Sequence, residues 1–185
     1  MLNTDPCVFG RSFKYSNCRQ TPTGVMRQLA NGSLIVFCSR INGDFYLDTV
    51  FVVEGTGTDY KTAADINSCS SEYKNLTLNL LPPGNYTLYR GARPSRENCK
   101  GQCFSFTPAR LATMENATER CKLNLASLNK VVGEDAFNLN NWRRASATEV
   151  EDEQIKSVWE ETVRQVTGQG FVLGVHFDWP EKKDA

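Results

Sequence analysis

Histidine is almost absent from this chain: its 185 residues hold one, His176. Any reaction that needs two or three imidazoles is therefore closed to the chain acting alone. Net charge is absent as well, 21 Lys and Arg standing against 21 Asp and Glu, which excludes a uniformly basic nucleic-acid coat and an acidic tail. A sum of zero still permits a local basic groove, because affinity for polyanions depends on where charges sit. No apolar run approaches the ~20 residues of a membrane-spanning helix, and the first fifteen residues lack the apolar stretch of a secretory signal, so no membrane partner is expected. Also missing are the Gly-rich phosphate loop with its Lys, the dinucleotide fingerprint and the zinc-deaminase signature. No cofactor is expected.

Cysteine is present but badly arranged for staples. The seven thiols, Cys7, Cys18, Cys38, Cys69, Cys99, Cys103 and Cys121, are odd in number and scattered, unlike a small secreted scaffold. The pattern reads as a cytoplasmic protein with reduced thiols. Sequons starting at Asn31, Asn75, Asn85 and Asn116 carry little weight in so Asn-rich a chain. Cys99 and Cys103, with Cys69, Cys121 and His176, offer one loose ligand pair where structural zinc uses two tight ones, so no metal is assigned. The chain opens on turn-like residues before any core element, as expected where an N-terminal segment is missing.

What is there belongs to a folded body: 40% hydrophobic residues, ten Phe and three Trp, in a length suited to a single domain over 1–185. Leu34–Cys38 is a short apolar run typical of a buried strand, and Phe45–Val53 is β-branched and aromatic. Asn42-Gly43 between them is a hairpin turn signal. Leu76–Leu80 alternates like a half-buried strand, and Tyr86–Arg90 and Cys103–Thr107 are further strand candidates, the latter halted by Pro108. Short helical turns are expected over Val25–Leu29 and Tyr60–Ile66, and an irregular stretch with one short helix over 109–147. The clearest helix runs from Glu149 to Thr167, with Thr148 and Glu151 spaced as a capping box, an acidic first turn, and Gly168 as its C-terminal cap. Phe171–Phe177 closes the chain as a last strand that carries His176 in apolar company. The sum is α+β: a small, mostly antiparallel, partly open β-barrel with a long C-terminal helix packed against it.

Several residues suit a ligand. Arg90 and Arg93, with Arg96 nearby, follow a strand end and can grip phosphate in bidentate fashion. Tyr15 lies in a segment mixing basic, amide and aromatic residues; it or Tyr46 can stack on a base, while Gln20 or Asp48 can read polar base edges. Asp48 interrupts an apolar strand, so it is either paired, solvated or turned to a ligand. Strict alternation sets Tyr46, Asp48, Val50 and Val52 on one face and Phe45, Leu47, Thr49, Phe51 and Val53 on the other.

Residues 29–37 leading into 45–53 resemble the paired strands of PUA-like domains of the ASCH and EVE type. Asp5–Gly10, Cys18–Gln20 and Gly32–Phe37, with Trp159, Val166 and Gly170–Val175, resemble the third nucleotide modification-associated domain family of prokaryotes and phages. These resemblances imply a non-catalytic domain that binds a nucleotide or modified base of a nucleic acid, linked to nucleic-acid modification or phage defence. A rival resemblance is to ADP-ribosyltransferases: Tyr89–Gly91 and Phe104–Thr107 look like the Arg strand and the Ser/Thr strand that hold a nicotinamide dinucleotide, with Ser105 as a ligand contact. That family's late-strand Glu has no counterpart in Phe171–Phe177; Glu161 lies on the preceding helix. A third reading is a structural or interaction subunit without a ligand, docking a partner through the Trp159 helix face.

Overall fold

The computed structural model describes residues 5–21, 24–95, 103–110, 119–133, 136–137 and 149–179. Among them the chain is α+β, with a mostly antiparallel sheet and three α-helices. The hairpin forms where the turn signal put it. Asn42 and Gly43 both take positive φ (51° and 93°), the backbone that a two-residue turn needs between right-twisted strands. It joins β2 (Leu34–Ile41) to β3 (Asp44–Tyr60) in a register running from Ile41 opposite Asp44 to Leu34 opposite Val52.

Strict alternation fails once, at a bulge. Thr49 faces Phe37 and Leu47 faces Cys38, so Asp48 is the extra residue in β3. The slip moves Leu47 onto the face of Val50 and Val52, where all three join Phe106, Leu128, Val158 and Val166 in the largest core. Phe51 and Val53 face the other way, into a second core with Phe13, Tyr15, Met26 and Tyr89. A strand buried on both faces carries an apolar run rather than alternation, which explains the continuous burial of residues 49–53.

β3 is long enough to change partners. Its first half pairs with β2, and its second half, after an irregularity between Glu54 and Thr58, pairs with β4 (Tyr86–Gly91). β4 in turn pairs with the two-residue β1 (Lys14–Tyr15), giving the order β1-β4-β3-β2. On the other edge of the first half of β3, Val50 and Phe106 exchange backbone bonds at 2.9 Å. The chain continues from Phe106 into β5 (Thr107–Ala109), which pairs with β6 (Val172–Gly174). Beyond β6, Phe177 bridges Phe9 and Gly10, and Cys7 exchanges bonds of 2.7 and 2.9 Å with Lys14. Backbone bonding thus runs from β3 through β5, β6, the 7–10 segment, β1 and β4 and back to β3.

Several local expectations are corrected. Leu76–Leu80 is not a strand: Ser70 caps α1 (Ser71–Leu76) by accepting from the Tyr73 N–H at 3.3 Å, and Leu78–Leu80 forms a 3₁₀ turn. Five alternating residues cannot outweigh a capped start and a fully buried Tyr73. Pro108 does not halt a strand but sits inside β5, which a strand in a two-stranded ribbon tolerates. The stretch expected to be irregular holds α2 (Leu125–Val132), capped by Asn124 and ended by Gly133 at φ 80°. The long helix, α3, spans Asp152–Gly168. Its capping box is Glu151 with Gln154, Thr148 lying outside the described residues, and the left-handed residue after it is Gly170 (φ 78°) rather than Gly168. The last strand is confined to β6 and the bridge at Phe177. No helix among the described residues is long and apolar enough to cross a membrane.

Candidate functional site

Alternation along β4 creates the site. Tyr86, Leu88 and Arg90 point to one face and Thr87, Tyr89 and Gly91 to the other. The segment from Tyr60 to Leu81 folds over the first face, burying Tyr60, Ile66, Tyr73, Leu78 and Leu88 together. That cover stops short of Arg90, which stays exposed. Lys14 lies directly across from Arg90 on β1, and Glu54 directly across from it on β3, so the three form a row over adjacent strands. The row is the floor of a groove of about 1000 Å³. Its walls are Gly10–Ser12, the 68–70 turn, Thr56 and Thr58, and His176, Asp178 and Trp179. One end is a hollow of about 480 Å³ that Arg11, Glu54, Arg93 and His176 share.

Four cations, Arg11, Lys14, Arg90 and Arg93, line this groove against two carboxylates, Glu54 and Asp178. Both backbone groups of Lys14 are taken by Cys7, so toward β4 it forms the kind of antiparallel pair without ladder bonds, in which side chains stand closest. Two cations set opposite each other this way repel, at a cost of the order of a few tenths of a kcal/mol. Lys14 Nζ donates to Ser12 O at 3.2 Å and lies 5.2 Å from the Tyr73 ring centroid. Arg93 Nη1 donates to Arg11 O at 3.5 Å. Among the described residues none of Arg11, Lys14, Arg90 and Arg93 forms an ion pair, whereas Arg27, Arg110, Arg120, Lys122 and Arg164 all do. Four cations without an ion pair among the described residues therefore converge on one concavity, where they outnumber its two carboxylates, beside the hydroxyls of Ser12, Thr56 and Thr58.

The sequence candidates divide sharply. Arg90 and Arg93 meet in the groove; Arg96 lies outside the described residues. Tyr15 does not reach it: its ring is fully buried, stacks on Tyr89 at 6.0 Å and donates its hydroxyl to Cys18 O at 2.6 Å. Gln20 is also inside, where its amide accepts from Thr87 N–H and donates to Thr87 O, both at 2.7 Å. Ser105 is buried on the inner side, its hydroxyl accepting from Val52 N–H at 2.9 Å and donating to Val52 O at 3.2 Å. Gly91 approaches Ser105 so closely that a Cβ there would lie 2.7 Å from its Oγ, so Arg90, one residue away, points the opposite way. The pairing of Arg90 with Ser105 that a dinucleotide site would use is therefore not made. Asp48 takes the paired option: it accepts from Ser39 Oγ at 2.6 Å and is bound by Arg120. Tyr46 bridges Lys122, and neither Tyr46 nor Asp48 lines the groove.

Two residues expected elsewhere do line it. His176 lies past the end of β6, so instead of packing in an apolar strand its side chain is 57% exposed, with Nε2 3.4 Å from Asp178 Oδ1. Cys69, weighed as a zinc ligand, borders the groove alone; burial pushes its thiol up, against the nearby Lys14, Lys74 and Arg90. Among the described residues no three His, Cys, Asp or Glu side chains gather as a metal site would require, and Cys121 is in the main core. Cys99 lies outside the described residues, and the six described cysteines are free thiols. Nothing in the sequence had marked out Arg11, Glu54 or Trp179. Trp179 packs on Phe9 at 5.7 Å and lies over Gly10, whose φ of 82° and missing Cβ admit the indole. The sequence marked Lys14 only as a basic member of the mixed segment around Tyr15, and its position one residue from that core tyrosine sets it on the outer face.

No family model matches the chain, and neither the curated proteins nor the solved structures provide a match.

Proposed function

We propose that the groove binds the phosphates of a nucleotide or nucleic acid, with Arg11, Lys14, Arg90 and Arg93 gripping them. The carrying observation is the Lys14–Arg90 pair: like charges face each other across a strand boundary, and although Glu54 lies opposite Arg90 on the other side, neither cation forms an ion pair among the described residues. An arriving polyanion relieves that arrangement. Arginine forks suit phosphate oxygens, and the surrounding hydroxyls suit sugars and phosphate esters. Trp179 replaces Tyr15 and Tyr46 as an aromatic lining the groove, so a base entering it stacks there. The circuit of backbone pairing through β3, β5, β6, β1 and β4 supports a partly open barrel of the PUA-like kind, with the groove on its outer side. A modified base and a role in nucleic-acid modification fit this reading but rest on the resemblance. The scaffold reading is weakened by α3, whose Val158, Thr162 and Val166 are buried in the chain's own core and whose Trp159 donates to Phe104 O at 2.9 Å.

The test is binding of single- and double-stranded oligonucleotides, modified and unmodified, followed by fluorescence anisotropy from 50 to 200 mM salt. Affinity should fall linearly in log–log form, and removing Arg90 and Lys14 together should lower the slope by about 0.7–0.9 for each phosphate that is no longer neutralised. Absence of binding at the lowest salt would remove the reading.

A further inference from the structure

Proton-transfer groups are scarce in this groove, and two that stand ready share its end. Glu54 makes no ion pair or side-chain hydrogen bond among the described residues, and its carboxylate is exposed. His176, the chain's only imidazole, is engaged among the described residues by Asp178 and remains largely open. Both line the hollow of about 480 Å³ with Arg11 and Arg93. Glu54 rises from the floor on β3, whereas His176 stands on the segment beyond β6. A phosphate held by the two arginines thus meets a carboxylate and an imidazole that come from different elements. In-line displacement at phosphorus asks for a base and an acid on opposite sides of the phosphate, and two groups carried into one hollow by different elements can supply them. One base, one acid and two guanidinium groups are enough for one phosphoryl reaction in particular, the cleavage of RNA by its own 2′-hydroxyl. It needs neither a second histidine nor an external nucleophile.

We infer that the hollow cleaves RNA by internal transesterification, a step that rests on the phosphate-binding reading above. Glu54 takes the proton of the 2′-hydroxyl, the 2′-oxygen bonds to phosphorus, and the bond from phosphorus to the 5′-oxygen breaks. Protonated His176 gives its proton to that leaving oxygen, and Arg11 and Arg93 hold the charge on the non-bridging oxygens. The products are a 2′,3′-cyclic phosphate and a free 5′-hydroxyl. Proton exchange with water resets both groups, and nothing is oxidised or reduced. DNA of the same sequence binds but lacks the nucleophile.

The experiment incubates the full chain with an end-labelled single-stranded RNA and with the matching DNA, measuring binding by anisotropy and cleavage on a gel, with product ends assigned by mass. RNA fragments ending in cyclic phosphate, with DNA bound and intact, are expected. Glu54→Gln and His176→Ala should each slow cleavage by about 10²–10⁴-fold, the usual share of a general base or acid. Both side chains are exposed, and unchanged thermal midpoints confirm that the variants fold. RNA bound yet uncut by the unaltered chain overturns the cleavage and leaves phosphate binding standing. Failure to bind either strand overturns both. Cleavage that persists in both variants comes from other groups and overturns the assignment to Glu54 and His176.

Discussion

Gln20 separates the two ways of reading this molecule, because an amide that could read a base is found reading the backbone. β1 stops at Tyr15, opposite Tyr89, and the chain turns away through Arg19 at φ 63°. Had β1 continued, a peptide group would have met Thr87; the Gln20 side chain returns to take that place, with both bonds at 2.7 Å and 7% of the residue exposed. Gln20→Ala orphans a buried donor and a buried acceptor. At about 1–3 kcal/mol for each unsatisfied group the cost is about 2–6 kcal/mol. That is a large share of the ~5–15 kcal/mol by which domains are stable. With about 2–4 °C per kcal/mol at this chain length, the thermal midpoint should fall by at least about 4 °C. Gln20→Glu sharpens the test. At neutral pH its carboxylate still accepts from the Thr87 N–H but opposes the Thr87 carbonyl, and only the protonated acid can donate to it. The folded state thus raises this carboxyl's pKa, so stability should recover as pH falls through the folded-state value. Circular dichroism against temperature at several pH values, with oligonucleotide titration in parallel, reads both effects. An unchanged midpoint with weakened binding would refute the reasoning and return Gln20 to the ligand.

Gly57 sits in the irregular stretch of β3 between Glu54 and Thr58, and a Cβ there would press on the Thr87 methyl and lie 2.6 Å from the Tyr89 ring. Both neighbours are buried, so Gly57→Ala should cost about 1–3 kcal/mol by overpacking, measured as a lower urea midpoint. Glu161 ties α3 to α2: it accepts from Arg164 at 2.6 and 2.7 Å, Ser127 Oγ at 2.8 Å and Gln165 at 3.0 Å. The Arg164 guanidinium, helped by the other donors, holds its carboxyl down to about 2 against an ordinary 4.5. Because the folded-state value is the lower one, this stabilisation is present above pH 4.5 and is lost as pH falls toward 2. Glu161→Gln should therefore flatten the acid limb of the stability curve in that window, and an unaltered limb would count against the interaction.

Much of the scaffold was legible locally. Asn42-Gly43 specifies a turn because few residues tolerate positive φ, and the apolar runs on either side then pair in one register. α3 was legible because Ile155, Val158, Thr162 and Val166 recur at helical spacing behind an acidic start. Leu76–Leu80 misled because period two over five residues fits a capped helix end as well as a strand. Leu47 misled because one bulged residue reverses every face assignment before it, and the bulge at Asp48 is set by pairing with β2. Tyr15, Gln20 and Ser105 misled because a polar tip on a buried body can be satisfied by backbone as readily as by a ligand.

The neutral total and the single histidine are properties of the chain alone, and they bound the chemistry before any folding. Local sequence likewise dictates the hairpin, the long helix and the outward phase of Arg90, because those depend on neighbours a few residues away. Where charge accumulates is another matter. Lys14 and Arg90 are 76 positions apart in sequence, and Glu54 belongs to a third strand; they form one row only because β4 lies between β1 and β3. His176 enters the same groove only because β6 pairs with β5 and hands the chain across to Phe9 and Gly10. Long-range pairing is invisible to local periodicity, so a balanced composition concealed a cationic groove with its only imidazole at one end.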